Sequence, residues 1–217
     1  MYKSVLAEEL RFFYEAIAST YHQTCELVGF CDVSQTRMDY ANRVLVNKYG
    51  QKKVKTCMPS QFEQLLDDVQ PDEVIITSVD RTHHDYIIRA MRKGYDVICE
   101  KPLTIDEEKA QEIITVQKQT GRNLRVTFNY RYAPYHTKIK ELLEKDIIGD
   151  VFSIHFEWLL NTQHGADYFR RWHRNKHNSG GLLVHKSTHH FDLVNFWLSS
   201  QPKKVFAFGE LNFLWNA

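Results

Sequence analysis

From residue 26 to about residue 129 the chain repeats one pattern: a short apolar run, then an amphipathic stretch closed by helix-ending signals. The runs are Glu26–Cys31, Val54–Cys57, Glu73–Ser78, Asp96–Glu100 and Leu124–Asn129. Most are rich in Val, Ile or Phe with little alternation, which predicts strands buried on both faces of a parallel sheet. Ser34 is placed to cap a helix that stops at Gly50, Ser60 to open another, and a third runs from near Thr82 to Gly94. Thr104 and Glu107 read as a capping box for a helix to about Thr120, which Gly121 ends. Alternation of this kind requires βαβ crossovers, hence an α/β, doubly wound parallel sheet.

After Asn129 the pattern changes. Tyr135–Lys145 predicts a helix, and Asp150–Leu160 alternates as a half-buried strand would. A polar loop, Asn161–Ser179, closes on Gly180-Gly181 and is followed by a helix, Leu182–Leu198, and a strand-like stretch, Lys204–Phe213. This is the opening of an α+β domain. Two domains follow, residues 1–129 and 130–217.

Composition narrows the classes. Of 217 residues 43% are hydrophobic, enough for a core, and 28 basic residues balance 27 acidic ones to a net charge of +1. No basic arm is present, so nucleic-acid and membrane-surface roles are not expected. No run approaches the roughly 20 apolar residues of a membrane span. Cys25, Cys31, Cys57 and Cys99 have no C-x-x-C spacing, which fits a reducing, cytoplasmic setting. One number stands out: six of the 11 histidines fall between His164 and His190.

In open parallel sheets ligands bind beyond the carboxyl ends of the strands. Those ends carry Asp32, Ser78-Val79-Asp80, Glu100-Lys101-Pro102 and Asn129. An acid at the position of Asp32 either accepts both ribose hydroxyls of an adenosine, favouring NAD over NADP, or only caps its turn. Glu100-Lys101 is either a surface ion pair or places a lysine where it bonds a substrate hydroxyl and helps it lose its proton. On the last helix His185, His189, Asp192 and Phe196 share one stripe. Spacing leaves three readings open: a general base tuned by its neighbours, a divalent-metal pair, or plain polar helix surface.

Three segments resemble the glucose–fructose oxidoreductase, inositol dehydrogenase and rhizopine-catabolism (Gfo/Idh/MocA) family. They are DEVIITSVDRTHHDYIIRAMRKGYDVICEKPLTIDEEKA, NYRYAPYHTKIKELLEKDIIGDV and WHRNKHNSGGLLVHKSTHHFDLVNFWL. The resemblance implies a Rossmann-type NAD-binding domain followed by a second domain with a mainly antiparallel sheet. It also implies hydride transfer between NAD, in preference to NADP, and a sugar, polyol or sugar derivative. By position, Lys101 would touch the nicotinamide ribose and the substrate hydroxyl, and His189 would be the general base. His185, where the family often has an aspartate, would tune it by like-charge repulsion. Asp32, Ser78, His83, Glu100 and Asn129 would line the cofactor cleft, with Trp172 near the nicotinamide. No metal is implied, and relatives commonly pair into homo-oligomers through the second-domain sheet.

The amino end departs from that family. Its first strand and glycine-rich phosphate turn are not evident: the first glycine is Gly29, and Leu6–Gln23 reads as the helix that should follow the turn. Counting back puts the loop glycines at Val5 and Ala7, so the expectation is a chain truncated at both ends that lacks the central strand. Three alternatives therefore stand beside the dehydrogenase: a family relic that binds no cofactor, an NAD-dependent glycosidase working by oxidation and elimination, and a zinc hydrolase on His185 and His189.

Overall fold

The structure is a computed structural model and describes residues 1–7, 11–161, 163 and 168–209. By proximity the chain divides into two compact units. One comprises Met1–Phe128 and Glu157–His189; the other comprises Asn129–Phe156 and the residues from His190 onward.

The first unit is built on a six-stranded parallel sheet. In chain order its strands are β1 (Tyr2–Ala7), β2 (Cys25–Cys31), β3 (Lys55–Cys57), β4 (Glu73–Ile76), β5 (Asp96–Cys99) and β6 (Leu124–Val126). Their order across the sheet is β3-β2-β1-β4-β5-β6, the reversal of direction at β1 being the doubly wound topology. The crossover helices are α1 (Arg11–Ala18), α2 (Gln35–Tyr49), α3 (Phe62–Val69), α4 (Asp80–Arg92) and α5 (Glu107–Thr120).

The central strand is thus present, contrary to the expectation from sequence. Val5, placed there as a loop position, lies inside β1 at 0% exposure, with Gly29 of β2 on one side and Val74 of β4 on the other. Six residues suffice for a strand of roughly 20 Å. Burying the valine contributes roughly 1.5–3 kcal/mol to holding it there. The helix read as Leu6–Gln23 accordingly shrinks to Arg11–Ala18, because its first residues belong to the strand. Glu8–Leu10 lie outside the described residues.

Two packed layers flank the sheet. On one side Phe62, Leu65, Leu66, Tyr86, Ile87, Met91, Ile113 and Val116 pack on Val5, Val74 and Ile76. On the other Tyr14, Ile17, Met38, Ala41 and Leu45 cover Leu27, Phe30 and Ile75. Gly29 has a packing reason: a Cβ there would stand 3.1 Å from the Leu65 side chain, so its absence lets α3 approach β2.

Helix ends follow local chemistry. Ser34 caps α2 by accepting from Arg37 N–H, and Gly50 closes it in the left-handed region at φ 65°. The cap of α5 is Asp106, accepting from Lys109 N–H at 2.9 Å, instead of the expected Thr104–Glu107 box. The aspartate sits one residue ahead of the helix, where its carboxylate also meets the helix dipole. Helix α4 starts at Asp80, two residues before the expected Thr82, and this places an acid in its first turn.

The second unit holds a short turn, Asn129–Tyr132, the helix α6 (Pro134–Glu144) and the carboxyl-terminal part of α7 (Leu182–Leu198). Within it the buried His136 ring is enclosed by Tyr130, Tyr135 and Trp197, and Trp197 Nε1 donates to the His136 carbonyl at 3.1 Å. The strand expected over Asp150–Leu160 does not form. Its alternation is real, but a strand exists only with a bonded neighbour, and none lies against it among the described residues. Of Lys204–Phe213 the part through Gly209 is likewise irregular; the rest lies outside the described residues.

Candidate active site

The functional cluster sits in the first unit, at the carboxyl ends of β4 and β5. After β5 the chain passes through Glu100, Lys101 and Pro102, all partly or fully withdrawn from solvent. His83, 1% exposed, fixes this segment: Nδ1 faces the Pro102 carbonyl at 2.8 Å and Nε2 the Ser78 carbonyl at 2.9 Å. It therefore ties the end of β4 to the Lys101 loop from beneath, and its ring is not presented to the cleft as the resemblance implies. Glu100 accepts from Lys101 N–H at 3.1 Å, and burial raises its carboxyl pKa.

Lys101 and the amino-terminal part of α7 meet. Lys101 Nζ donates to the His185 carbonyl at 3.1 Å and stands 3.5 Å from His185 Nε2. The other ring nitrogen, Nδ1, lies 2.6 Å from Asp80 Oδ2. Burial, then the charge of Lys186, lowers the Lys101 pKa. Burial pushes Asp80 up to about 7, and burial and then Lys101 push His185 down to about 3. All three shifts have one origin: charges withdrawn from water at the edge of the core.

The aromatic wall beside His185 comes from the segment expected to be a plain loop. It contains two short helical turns, Trp172–Arg174 and Lys176–Ser179. Trp172 stacks on His173 with centroids 3.7 Å apart, and the His173 ring lies 4.6 Å from that of His185. Burial and the neighbouring His185 lower His173 to about 4. Tyr168 stacks on His173, and its hydroxyl bonds Ser179 Oγ at 3.1 Å. Gly180 anchors the segment: at φ 70° its Cβ position would fall 2.6 Å from the Ile105 carbonyl oxygen, so a side chain is excluded twice over.

His189, one turn beyond His185, is 7% exposed with its ring edge-on to Phe128 at 6.0 Å. Asp192, the third member of the stripe, is engaged by Arg131: Nε donates to Oδ2 at 2.7 Å and Nη2 to Oδ1. Both residues belong to the second unit, as does the exposed Asn129. Among the described residues no three His, Cys, Asp or Glu side chains converge as metal ligands.

A cleft of about 800 Å³ adjoins this cluster, lined by Ser78, Val79, Thr82, Arg37, Trp172 and His173 among others. At its β2 side Asp32 is 1% exposed; its Oδ1 accepts from Ser34 N–H at 2.6 Å and from Arg37 Nη2 at 2.5 Å. Ser78 is buried and receives a bond from Thr82 Oγ1 at 2.7 Å. The volume and the strand-end acid fit a nucleotide at the place where doubly wound sheets bind one. Sequence pattern placed Asp80 at a strand end without giving it a role, and it passed over Tyr168. An acid beginning a helix directly after a buried strand was the available signal for the first.

Residues 10–128 match the oxidoreductase family with an NAD-binding Rossmann fold (Gfo/Idh/MocA), and residues 140–216 match that family's C-terminal alpha/beta domain. The chain belongs to this family. It is 45% identical over 152 residues to the putative oxidoreductase YteT of Bacillus subtilis, covering 70% of this chain and 36% of that protein. It is 30% identical over 136 residues to an inositol 2-dehydrogenase of Rhizobium meliloti, covering 63% and 39%. The fold is that of scyllo-inositol dehydrogenase from Lactobacillus casei, solved with NAD(H) and scyllo-inositol (TM-score 0.73, 22% identity, 92% of this chain, 56% of that one). Myo-inositol 2-dehydrogenase from Lactobacillus plantarum is equally similar in fold (TM-score 0.74, 20% identity, 93% and 57%). The chain spans less than two fifths of these curated relatives and just over half of these solved chains. Among the described residues no helix is long and apolar enough to cross a membrane.

Proposed function

We propose that the chain is part of an NAD-dependent oxidoreductase that moves a hydride between the nicotinamide and a sugar, polyol or sugar derivative. Residues 1–129 carry the cofactor in this reading, and residues 130–217 begin the substrate domain. The observation that carries it is Lys101, held at the end of β5 by the His185 carbonyl beside a cleft of nucleotide size. When bound, NAD supplies the hydride acceptor. The protein's residues do the rest. Asp32 takes the ribose hydroxyls, with Ser78 and Trp172 as walls. Lys101 donates to the substrate oxygen and stabilises charge gathering there, and His189 removes the hydroxyl proton. Inositol, the substrate in the names of several relatives, is the first polyol to try.

A second reading is favoured by one observation: no glycine precedes Gly29, and the family match begins only at residue 10. A phosphate turn without glycine admits the pyrophosphate less closely, which favours a family member that keeps the fold without binding cofactor. NADH fluorescence titration decides between them. Saturation in the micromolar-to-millimolar range, followed by polyol-dependent NADH formation, supports the oxidoreductase; no saturable binding supports the second reading.

A further inference from the structure

Asp80 is 3% exposed, and the chemistry above makes no use of it. Its Oδ2 is 2.6 Å from His185 Nδ1, while across the same ring Nε2 faces Lys101 Nζ at 3.5 Å. An ammonium group only donates, so the ring nitrogen facing it must present a lone pair. The ring proton then sits on Nδ1 and is donated to the Asp80 carboxylate. We infer that Asp80 is a positioning residue: with His185 it forms a one-proton unit whose charge state decides whether the ring helps hold Lys101 at the cleft. The inference rests on reading Lys101 as the reactive lysine.

One added proton removes that support when it lands on the ring or on the oxygen that faces it, Asp80 Oδ2. On Nε2 it gives an imidazolium whose N–H points at the ammonium. On Asp80 Oδ2 it gives an acid O–H that donates to Nδ1, and the ring proton has to move to Nε2. In both cases two donors face each other and the ring releases Lys101, leaving only the His185 carbonyl. The groups facing the unit are Lys101, Lys186, His83 and His173, which oppose an added proton, and Glu100, the Cys99 thiol and the Tyr168 hydroxyl on the side of Asp80. Burial holds Asp80 at about 7, so proton uptake falls near neutrality, with Lys101 held above that pH and released below it.

Long-range 1H–15N spectra of the full chain, labelled at histidine and titrated from acid to alkaline pH, test this directly. The expected result is an Nδ1–H tautomer for His185 above the transition, assigned by loss of its signals in H185N, and a titration near neutrality. In D80N, whose amide either accepts or donates, the tautomers mix and the transition moves by about one pH unit or more. An Nε2–H tautomer in the unmutated chain above the transition overturns the inference, as does a D80N spectrum that titrates unchanged. The tautomer needs no variant to fold. Neither measurement needs cofactor or substrate, so a chain that binds no NADH still passes or fails.

Discussion

The two sides of the strand-end cleft are built on different principles. On the reaction side, side chains hold side chains: Asp80 meets His185 at 2.6 Å, and Lys101 meets the carbonyl and ring of the same histidine. On the nucleotide side the work belongs to main chain and one acid. Asp32 is already bonded by Ser34 N–H and Arg37, and no glycine stands between β1 and Gly29 in the sequence. A side-chain network tolerates exchange of one member when another supplies the missing group. Here the histidine at 185 finds its carboxylate on a different helix, α4. A backbone grip has no such freedom, because only a missing Cβ permits the close approach.

The largest expected effect lies on the reaction side. K101M should lower kcat/KM by about 10²- to 10⁴-fold, the range for loss of a positioned proton-handling group, with a much smaller loss of NADH affinity. Equal losses of turnover and affinity would move Lys101 to the nucleotide side and erase the comparison. Next comes Gly180, whose anchoring keeps the Trp172–His173 wall in place. G180A should destabilise the chain by about 1–3 kcal/mol in urea unfolding, since it meets both backbone strain and a carbonyl. G50A is the control: its φ of 65° carries the strain alone, with nothing within 4 Å of the added Cβ. It should cost about 1 kcal/mol or less.

Opposite signs of pH dependence provide a third test. Burial raises Asp80 from 3.8 to about 7 and lowers His185 from 6.5 to about 3. In H185N the buried carboxyl remains. Between about pH 4 and 7 the folded state then binds more protons than the unfolded one, so stability falls as pH rises. In D80N the buried imidazole remains. Between about pH 3 and 6.5 the unfolded state binds more protons, so stability rises with pH. Either slope is at most about 1.4 kcal/mol per pH unit. In the parent chain the two oppose each other, so each variant is measured as its difference from the parent. Slopes of the same sign in both variants would dissolve the Asp80–His185 pairing.

The strands β2, β4 and β5 were legible because their runs are mostly apolar on both faces, and the short β3 (KTC) and β6 (LRV) by their place in the alternation with helices. Strand β1 was not. YKSVLA is short and half polar, and its last apolar residues extend the period of the following helix, so the two elements read as one. In the site, Lys101, His185 and His189 stood out by their place after a buried strand and on one helix stripe. Asp80 was marked only as a strand-end residue, because two residues of error in the start of α4 hid its place in the helix's first turn. His83 was read as cleft lining because sequence marks a buried histidine and a presented one alike; only its two carbonyl partners separate them. Asp150–Leu160 shows the converse limit, an alternation with no bonded neighbour among the described residues to make it a strand.

The smallest expected effect returns to the nucleotide side. Arg37 is about half exposed, and an ion pair of that kind contributes only about 0.2–1 kcal/mol to stability. Its position matters more than its strength. An acid at the end of β2 repels a ribose 2′-phosphate, whereas an arginine beside it accommodates one. Arg37 bonds Asp32 Oδ1 through both Nε, at 3.1 Å, and Nη2, at 2.5 Å, so it neutralises the group that would reject NADPH. R37A should therefore weaken NADPH binding several-fold while leaving NADH nearly unchanged or slightly tighter, as Oδ1 loses the guanidinium that competes with the ribose hydroxyls and keeps the Ser34 N–H. Parallel fluorescence titrations with the two nucleotides measure the ratio. Equal changes for both would mean that Arg37 does not reach the 2′ position and that Asp32 alone sets the preference for NAD.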